Sequence, residues 1–483
     1  MVYRVLFPAF ILSLQLTAQT ETATLSGIVT DPAGGGIPVA AMKAVHEATG
    51  TTANTTSNAE GYYIFSSLRP GTYTLTVSAP AFKSVAQTGI ILQVNQTARL
   101  DVALPLGATT EKITVSADTR FIETETSGRG AVIDERKIVE LPLNGRDYTL
   151  LAQLSPGVLP ATPRLQSIGF KGAFNVNGNR AFQNGFLLDG VDNTSYSNSF
   201  RGGNTQIVQP SIDALQEFKI QTNAYGAEFG RSAGAVINAV IKSGTNSVHG
   251  SAYEFHRNRS LDAANFFSNK TGASKPFRLR NQFGGTLGGP IVKNKLFIFG
   301  DYEGLRDRTG VVRLTSVPQP IWTRGLFTVP IYNPFNPSDT GADFQRPATP
   351  ECSDGRGNCW IIPSNLIDPV GQKVLLVNPA PNTGLPGQVD NNYVNVPVDR
   401  NRTDQFDIRM DHNAGARFNL FGRYSFSDAN LFRPGPRPGL AEGSPNDTFG
   451  SALWRSQAVA TGATWTISSH AVSESRFGWA SGD

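Results

Sequence analysis

Cys352 and Cys359 enclose Ser-Asp-Gly-Arg-Gly-Asn, and the chain has two cysteines in all. Thiols at that spacing close a small loop as a disulfide in an exported chain, and that is the expectation here. Metal binding and free thiols are the alternatives. Zinc needs more ligands than two thiolates, and His46, His249, His256, His412 and His470 are too scattered to supply them. Carboxylates and amides crowd residues 187–193, yet they lack the spacing of a twelve-residue calcium loop, so a turn is expected. Gly284-Gly285 and Gly288-Gly289 fall in a strand pattern, where they mark close backbone approach or a bend rather than a nucleotide loop. No His-Glu-x-x-His and no Walker loop is present. No hydrolase constellation, cofactor or metal is expected, and the chain does not read as an enzyme.

The chemistry that remains belongs to the main chain. Glu111-Lys112-Ile113-Thr114-Val115-Ser116-Ala117 is a short β-prone run. Ile113 and Val115 fall on one face, and Thr114 and Ser116 on the other. Pro105 and Gly107 break the chain before it, and no partner strand is evident nearby. Such a strand offers its N–H and C=O groups to another protein.

The elements that position these residues are β-rich. Of 483 residues, 49 are Gly and 29 are Phe, while charged residues make up only 17%. This suits turns and strands rather than bundles or coiled coils. A net charge of +4 without a long Lys/Arg run excludes a nucleic-acid partner. Arg4 followed by the apolar run 5–16 reads as a signal peptide, residues 1–19, cleaved near Leu16-Thr17-Ala18. No later stretch is long and apolar enough to span a bilayer as a helix, so a membrane form must be a closed barrel.

Residues 22–105 read as a β-sandwich of six or seven short strands. Thr24 to Val29 is one strand, another begins at Ile37-Pro38-Val39, and residues 72–77 alternate strictly. The pattern Gly27-x-Val29-x-Asp31, Gly61-Tyr62-x-x-Phe65 and Leu68-x-Pro70-Gly71-x-Tyr73-x-Leu75-x-Val77 resembles the carboxypeptidase-regulatory-like domain. That resemblance implies a transthyretin-like sandwich, a family sometimes grouped with carbohydrate-binding folds. No aromatic platform for a sugar stands out, and a periplasmic spacer is the plainer role.

Residues 121–245 change texture. Residues 134–142 predict a short helix stopped by Pro142. Leu143-Asn144-Gly145-Arg146-Asp147 predicts a turn capping a helix from Tyr148 to Leu154. The turn with Leu141, Pro142, Asn144, Gly145 and Arg146, the hairpin with Asp189, Gly190 and Asp192, and the strand from Gly234 to Asn238 together resemble the plug domain of TonB-dependent receptors. In that context Glu111 to Ala117, within a linker 108–120, resembles the TonB box.

After residue 246 the strands lengthen. Thr403, Gln405, Asp407, Arg409 and Asp411 oppose Phe406, Ile408 and Met410. Ala416, Phe418, Leu420, Tyr424 and Phe426 oppose Arg417, Asn419, Arg423, Ser425 and Ser427. Strands of about ten residues, apolar outside and polar inside, read as a transmembrane barrel. Turns at 293–295 and 413–415 are short, while 310–400 and 428–454 are long. Six to eight strands are expected in 246–483, against about 22 in a plugged transporter, so the chain reads as the N-terminal part of a longer protein.

The whole is identified as a member of the Oar-like branch of TonB-dependent receptors, mainly β, with sandwich, α+β plug and partial barrel. The resemblance implies an outer-membrane receptor that imports an extracellular substrate with energy from TonB. Its implied partners are the C-terminal domain of TonB, outer-membrane lipid, and a substrate that could be an oligosaccharide, a peptide or a metal chelate. An outer-membrane adhesion or carbohydrate-binding surface protein without transport is the alternative reading. A secreted soluble carbohydrate-binding β-protein is the third.

Overall fold

Strict alternation in the first hundred residues puts every second side chain on one face, and two such faces make a core. The computed structural model describes residues 21–108, 112–116, 128–161, 172–195, 205–264, 266–271, 275–415, 417–438, 450–468 and 471–482. The expected signal peptide, Glu111, Ala117 and Ala416 lie outside the described residues. Strands β1 (Ala23–Thr30), β2 (Ala41–His46), β3 (Thr52–Thr56), β4 (Tyr62–Leu68), β5 (Gly71–Ser78), β6 (Ser84–Leu92), β7 (Thr97–Arg99), β8 (Val102–Ala103) and β9 (Lys112–Ser116) build two sheets. One runs β4-β1-β7 with β8 beside β1, the other β3-β2-β5-β6-β9. Leu25, Met42, Tyr63, Leu75, Val77 and Ile90 fill the space between them. Each fully buried aliphatic side chain there contributes about 2 kcal/mol. The Tyr63 hydroxyl donates to the Leu100 carbonyl at 2.6 Å.

Two expectations need correction. Residues 37–39 do not begin a strand. Pro38 has no N–H to donate to a ladder, Val39 takes a φ of 55°, and β2 starts two residues later. The run at 112–116 is not without a partner. β9 pairs parallel with β6, with Val85 opposite Ile113 and Gln87 opposite Val115.

The next unit carries β10 (Arg129–Asp134), a helix Glu135–Glu140, a 3-10 segment Tyr148–Leu154, β11 (Val158–Pro160), β12 (Phe174–Val176), β13 (Gly185–Leu188), β14 (Val191–Asp192), β15 (Leu215–Asn223) and β16 (Val236–Ile241). Its main sheet runs β10-β15-β16-β13-β14. Asp134 accepts from the Lys137 N–H to start the helix, and Leu141 ends it before Pro142. Asp147 accepts from the Thr149 N–H to start the 3-10 segment. The expected caps are therefore in place, and the second helix is tighter than an α-helix. β16 is apolar except for Asn238 and is buried along its whole length, as a strand between β15 and β13 must be.

Then come β17 (His249–Asn258), β18 (Arg278–Val292) and β19 (Leu296–Gly310). The connection after β19 holds β20 (Arg313–Thr315), β21 (Leu326–Phe327), β22 (Gln345–Pro347), β23 (Asn358–Ile361), β24 (Tyr393–Asn395) and a helix Pro369–Leu376. β25 (Val398–Asn413), β26 (Phe418–Arg433), β27 (Gly450–Ser468) and β28 (Ala471–Gly482) complete an antiparallel wall ordered β17-β18-β19-β25-β26-β27-β28. Short turns join β18 to β19 and β25 to β26 at one rim, and the long connections lie at the other. Ile408 and Met410 point outward, 45% and 42% exposed, while Asp407, Arg409 and Asp411 are buried against the plug-like unit. Phe299 of the wall belongs to the same apolar core as Ile237 and Phe218.

Candidate functional site

Asp189 and Gly190 form the tip between β13 and β14 and have φ of 52° and 70°. Positive φ at both central residues is what a tight Asp-Gly hairpin requires. The turn also turns the Asp189 carboxylate into the wall. Its Oδ1 accepts from the Ile241 N–H at 3.0 Å and pairs with the Arg409 guanidinium at 2.8 Å. Arg423 meets its Oδ2 at 2.6 Å. Arg409 also pairs with Asp411 at 3.1 Å, donates to the Ile241 carbonyl at 3.0 Å, and lies over the Phe421 ring. Asp411 accepts from Ser243 at 2.8 Å. Asp407 on the next inward position accepts from Ser425, and Ser211 donates to Asp301 at 2.8 Å. Charges removed from water stand only when paired and hydrogen-bonded; Arg409, Asp411 and the Asp189 Oδ1 meet that condition across two units distant in sequence, while Arg423 Nε and Asp189 Oδ2 are held by ion pairing without hydrogen-bond geometry.

The Leu141 to Arg146 turn supplies a second junction. Arg146, at φ 52°, pairs with Asp213 and with Glu303 of the wall. Its guanidinium stacks over Tyr253 and Phe255, 4.3 and 4.7 Å from their centroids. Tyr253 donates to Glu303 at 2.9 Å. Leu141, Pro142 and Asn144 are exposed, and Gly145 supplies a φ of 94°. Asp192 accepts from the Thr194 N–H at 2.9 Å. Gly234 sits where a Cβ would come 2.3 Å from the Asn184 amide oxygen, and Asn238 is wholly buried in β16. Asp189 and Arg146 thus meet the wall, while Asp192, Gly234 and Asn238 serve the plug-like unit itself.

The sandwich docks at the short-turn rim. The Val94 N–H donates to the Glu217 carboxylate of β15, and Lys219 donates to the Asn95 carbonyl at 2.9 Å. Arg69 pairs with Asp411 at 2.8 Å, Asn413 donates to Thr51 at 2.6 Å, and the Asn246 N–H donates to the Ala48 carbonyl at 2.9 Å. Burial pushes Glu217 up to about 7, against the opposing Val94 hydrogen bond. Burial and then the Arg69 charge hold His46 down to about 4. Between sandwich, plug-like unit and wall lies a cavity of about 860 Å³, lined among others by His46, Arg69, Asp213, Lys242 and Arg409.

Cys352 and Cys359 are joined in the long connection, with Cα atoms 5.5 Å apart. The sequence also spells Gly-x-Ser-x-Gly at Gly230 to Gly234. A hydrolase elbow needs a strand–turn–helix, whereas these residues run straight into β16, and the Ser232 hydroxyl has no hydrogen-bond partner among the described residues. The ion network had no local sequence signal. Arg409 and Asp189 are 220 residues apart, and only the burial implied by an inward polar face could have pointed to such pairing.

A wall of long strands, apolar outward and ion-paired inward to a domain that packs on it, defines an outer-membrane barrel protein. Residues 240–482 match the outer membrane beta barrel domain family, and the chain belongs to it. Residues 24–105 match the carboxypeptidase regulatory-like domain. The chain is 31% identical over 258 residues to the TonB-dependent transporter Oar of Myxococcus xanthus. The match covers 51% of this chain and 23% of Oar, so it spans less than a quarter of that relative. Among solved structures, the outer membrane transporter YddB from Escherichia coli is 14% identical, with TM-score 0.44 over 73% of this chain and 38% of that one. A mutant ferric enterobactin receptor, PfeA of Pseudomonas aeruginosa, is 14% identical, with TM-score 0.41 over 73% and 40%.

Proposed function

We propose that this chain is part of a TonB-dependent outer-membrane receptor, which binds a substrate at its long-loop rim and imports it with energy delivered by TonB. The observation that carries the reading is the seating of residues 129–241 against the wall through Asp189, Arg409 and Arg423, downstream of the short strand β9. A domain held in a lumen by many polar contacts blocks passage, and something must pull on it for substrate to pass. β9 supplies a handle, because a short strand can pair its main chain with a partner's strand. The partner in this reading is the C-terminal domain of TonB, and residues 111–117 are the coupling segment.

The test is capture of purified TonB C-terminal domain by the full-length protein in detergent. Wild type should bind. Deleting residues 111–117 should abolish binding while surface display and the folded barrel persist. Equal binding by the deletion variant would defeat the coupling assignment. No binding by wild type would favour an adhesion protein with the same architecture.

A further inference from the structure

The outward face of the wall changes character along its strands. Tyr302, Phe406 and Phe426 lie in one cross-strand row, with the Phe406 and Phe426 rings stacked 5.4 Å apart. Toward the short turns the face is apolar, with Ile408 and Met410 exposed. Toward the long connections Asp404 comes first on β25, followed by two rows that hold arginine. One row reads Asn281, Arg306, Arg402 and Asn430, and the next reads Leu279, Arg308, Arg400 and Phe432. Each row sets two arginines directly opposite one another on β19 and β25, and neither row holds an acid.

Like charges directly opposite in a sheet are destabilising. The first pair is offset, because Asp404 meets Arg306 at 2.7 Å and Arg402 at 2.8 Å and accepts from the Tyr302 hydroxyl at 2.6 Å. The second pair is not. Arg308 and Arg400 are exposed, and neither side chain has a hydrogen-bond or ion-pair partner among the described residues. The acids beside them in sequence, Asp307 and Asp399, belong to the inward face and pair with Arg278 at 3.1 Å and Arg313 at 2.9 Å. The height of the pair follows from strand geometry. An outer-membrane barrel has an apolar band about 25 Å tall and strands tilted about 40°. At about 3.4 Å per residue the band takes up about ten residues of a strand. Counted back along β25 from the short turn that follows it, the band ends near Arg402. Arg306 and Arg402 therefore stand at the edge of the hydrocarbon, and Arg308 and Arg400 stand one row beyond it, among headgroups.

We propose that Arg308 and Arg400, backed by Arg306 and Arg402, form a clamp for the phosphate of an outer-leaflet lipid headgroup. A guanidinium fork matches phosphate oxygens with two parallel N–H donors. A phosphate between Arg308 and Arg400 turns their mutual repulsion into charge-assisted hydrogen bonds. The occupant is a membrane lipid rather than a soluble anion, because both rows lie on the outward face, continuous with the apolar band below them. They also lie at the rim of the long connections, the side that faces the exterior in outer-membrane barrels. The inference needs only the barrel and is independent of the coupling reading.

The experiment titrates a phosphorylated lipid into the full-length protein in neutral detergent and reads the bound fraction by native mass spectrometry. The probe is diphosphoryl lipid A, with its dephosphorylated form and inorganic phosphate as separate arms. The variants are Arg308→Gln with Arg400→Gln, and Lys293→Gln with Lys295→Gln at the short-turn rim as a control of equal charge change. Wild type should bind the diphosphoryl lipid, and the arginine variant should bind it about thirtyfold more weakly, the effect of removing two cations at an anionic headgroup. The lysine variant should bind as wild type does. Without lipid, the arginine variant should unfold at no lower a temperature than wild type, because a like-charge pair has been removed. Four outcomes overturn the clamp: undiminished binding by the arginine variant, equal weakening by the lysine variant, equal affinity of wild type for the dephosphorylated lipid, and a lipid-free arginine variant less stable than wild type. Displacement of the lipid by inorganic phosphate at matched concentration overturns the membrane assignment, since the site would then belong to a soluble anion.

Discussion

Arg409 joins the wall to the plug-like unit through an ion pair to Asp189 and a hydrogen bond to the Ile241 carbonyl. It is 3% exposed and faces Asp189 on one unit and Asp411 on its own strand. Replacing Arg409 with Ala leaves two buried carboxylates short of a counter-charge, the situation in which a broken buried pair is costly. Each acid keeps one other cation, Arg423 for Asp189 and Arg69 for Asp411. The loss should therefore fall at the low end of the usual range, about 3 kcal/mol. Chemical unfolding of the full-length protein in detergent measures it, with Met410→Ala on the outward face as the matched control. An Arg409→Ala variant no less stable than Met410→Ala would show that the network is not what holds the unit. The sequence shows Asp189 as half of an Asp-Gly turn, and the turn is there. It does not show the carboxylate's partners, because ion pairing over 220 residues has no local pattern.

At the scale of elements, period-two patterning is the part that could be read. Thr403, Gln405, Asp407, Arg409 and Asp411 do face inward along β25, because a strand with one face toward the outside and one toward packed protein admits no other arrangement. The pairing of β9 could not be read, since its partner β6 is separated from it by two short strands and a Pro-Gly break. The contact between β15 and the turn at residues 93–96 was equally hidden, and it has a pH signature. Glu217 is pushed up to about 7 by burial, chiefly, with Asp134 adding to the rise and the Val94 N–H and Lys219 opposing it. An acid whose folded value lies above its unfolded one binds more protons folded than unfolded. Its contribution to stability therefore falls as pH rises from 4.5 toward 7. His46, held down to about 4, acts in the opposite sense and loses stability as pH falls below 6.5. The two slopes offset one another in the wild type, so the informative quantity is a difference. Glu217→Gln should be more stable than wild type at pH 8, with the gap closing by pH 5. Thermal unfolding at the two pH values checks this, and a gap that stays constant would mean Glu217 is not buried as an acid.

For the whole molecule, sidedness follows from which rim the sandwich occupies. Its 46–51 loop and Arg69 meet the ends of β25 and the start of β17, where the turns between wall strands are short. The long connection after β19, with its bridged cysteines and exposed Phe335 and Leu385, lies at the opposite rim. In outer-membrane barrels short turns face the periplasm and long loops face outward. By that rule the sandwich is expected to be periplasmic and 311–397 to be at the cell surface. A cysteine at Phe335, which is 90% exposed, should react with a membrane-impermeant maleimide on intact cells. A cysteine at Lys43, exposed on the sandwich, should react only after the outer membrane is permeabilised. Labelling of Lys43→Cys on intact cells would place the sandwich outside, where TonB cannot reach β9. The adhesion reading would then account for the architecture better than transport, because a surface-displayed sandwich with an open strand edge is a binding module and not a coupling device.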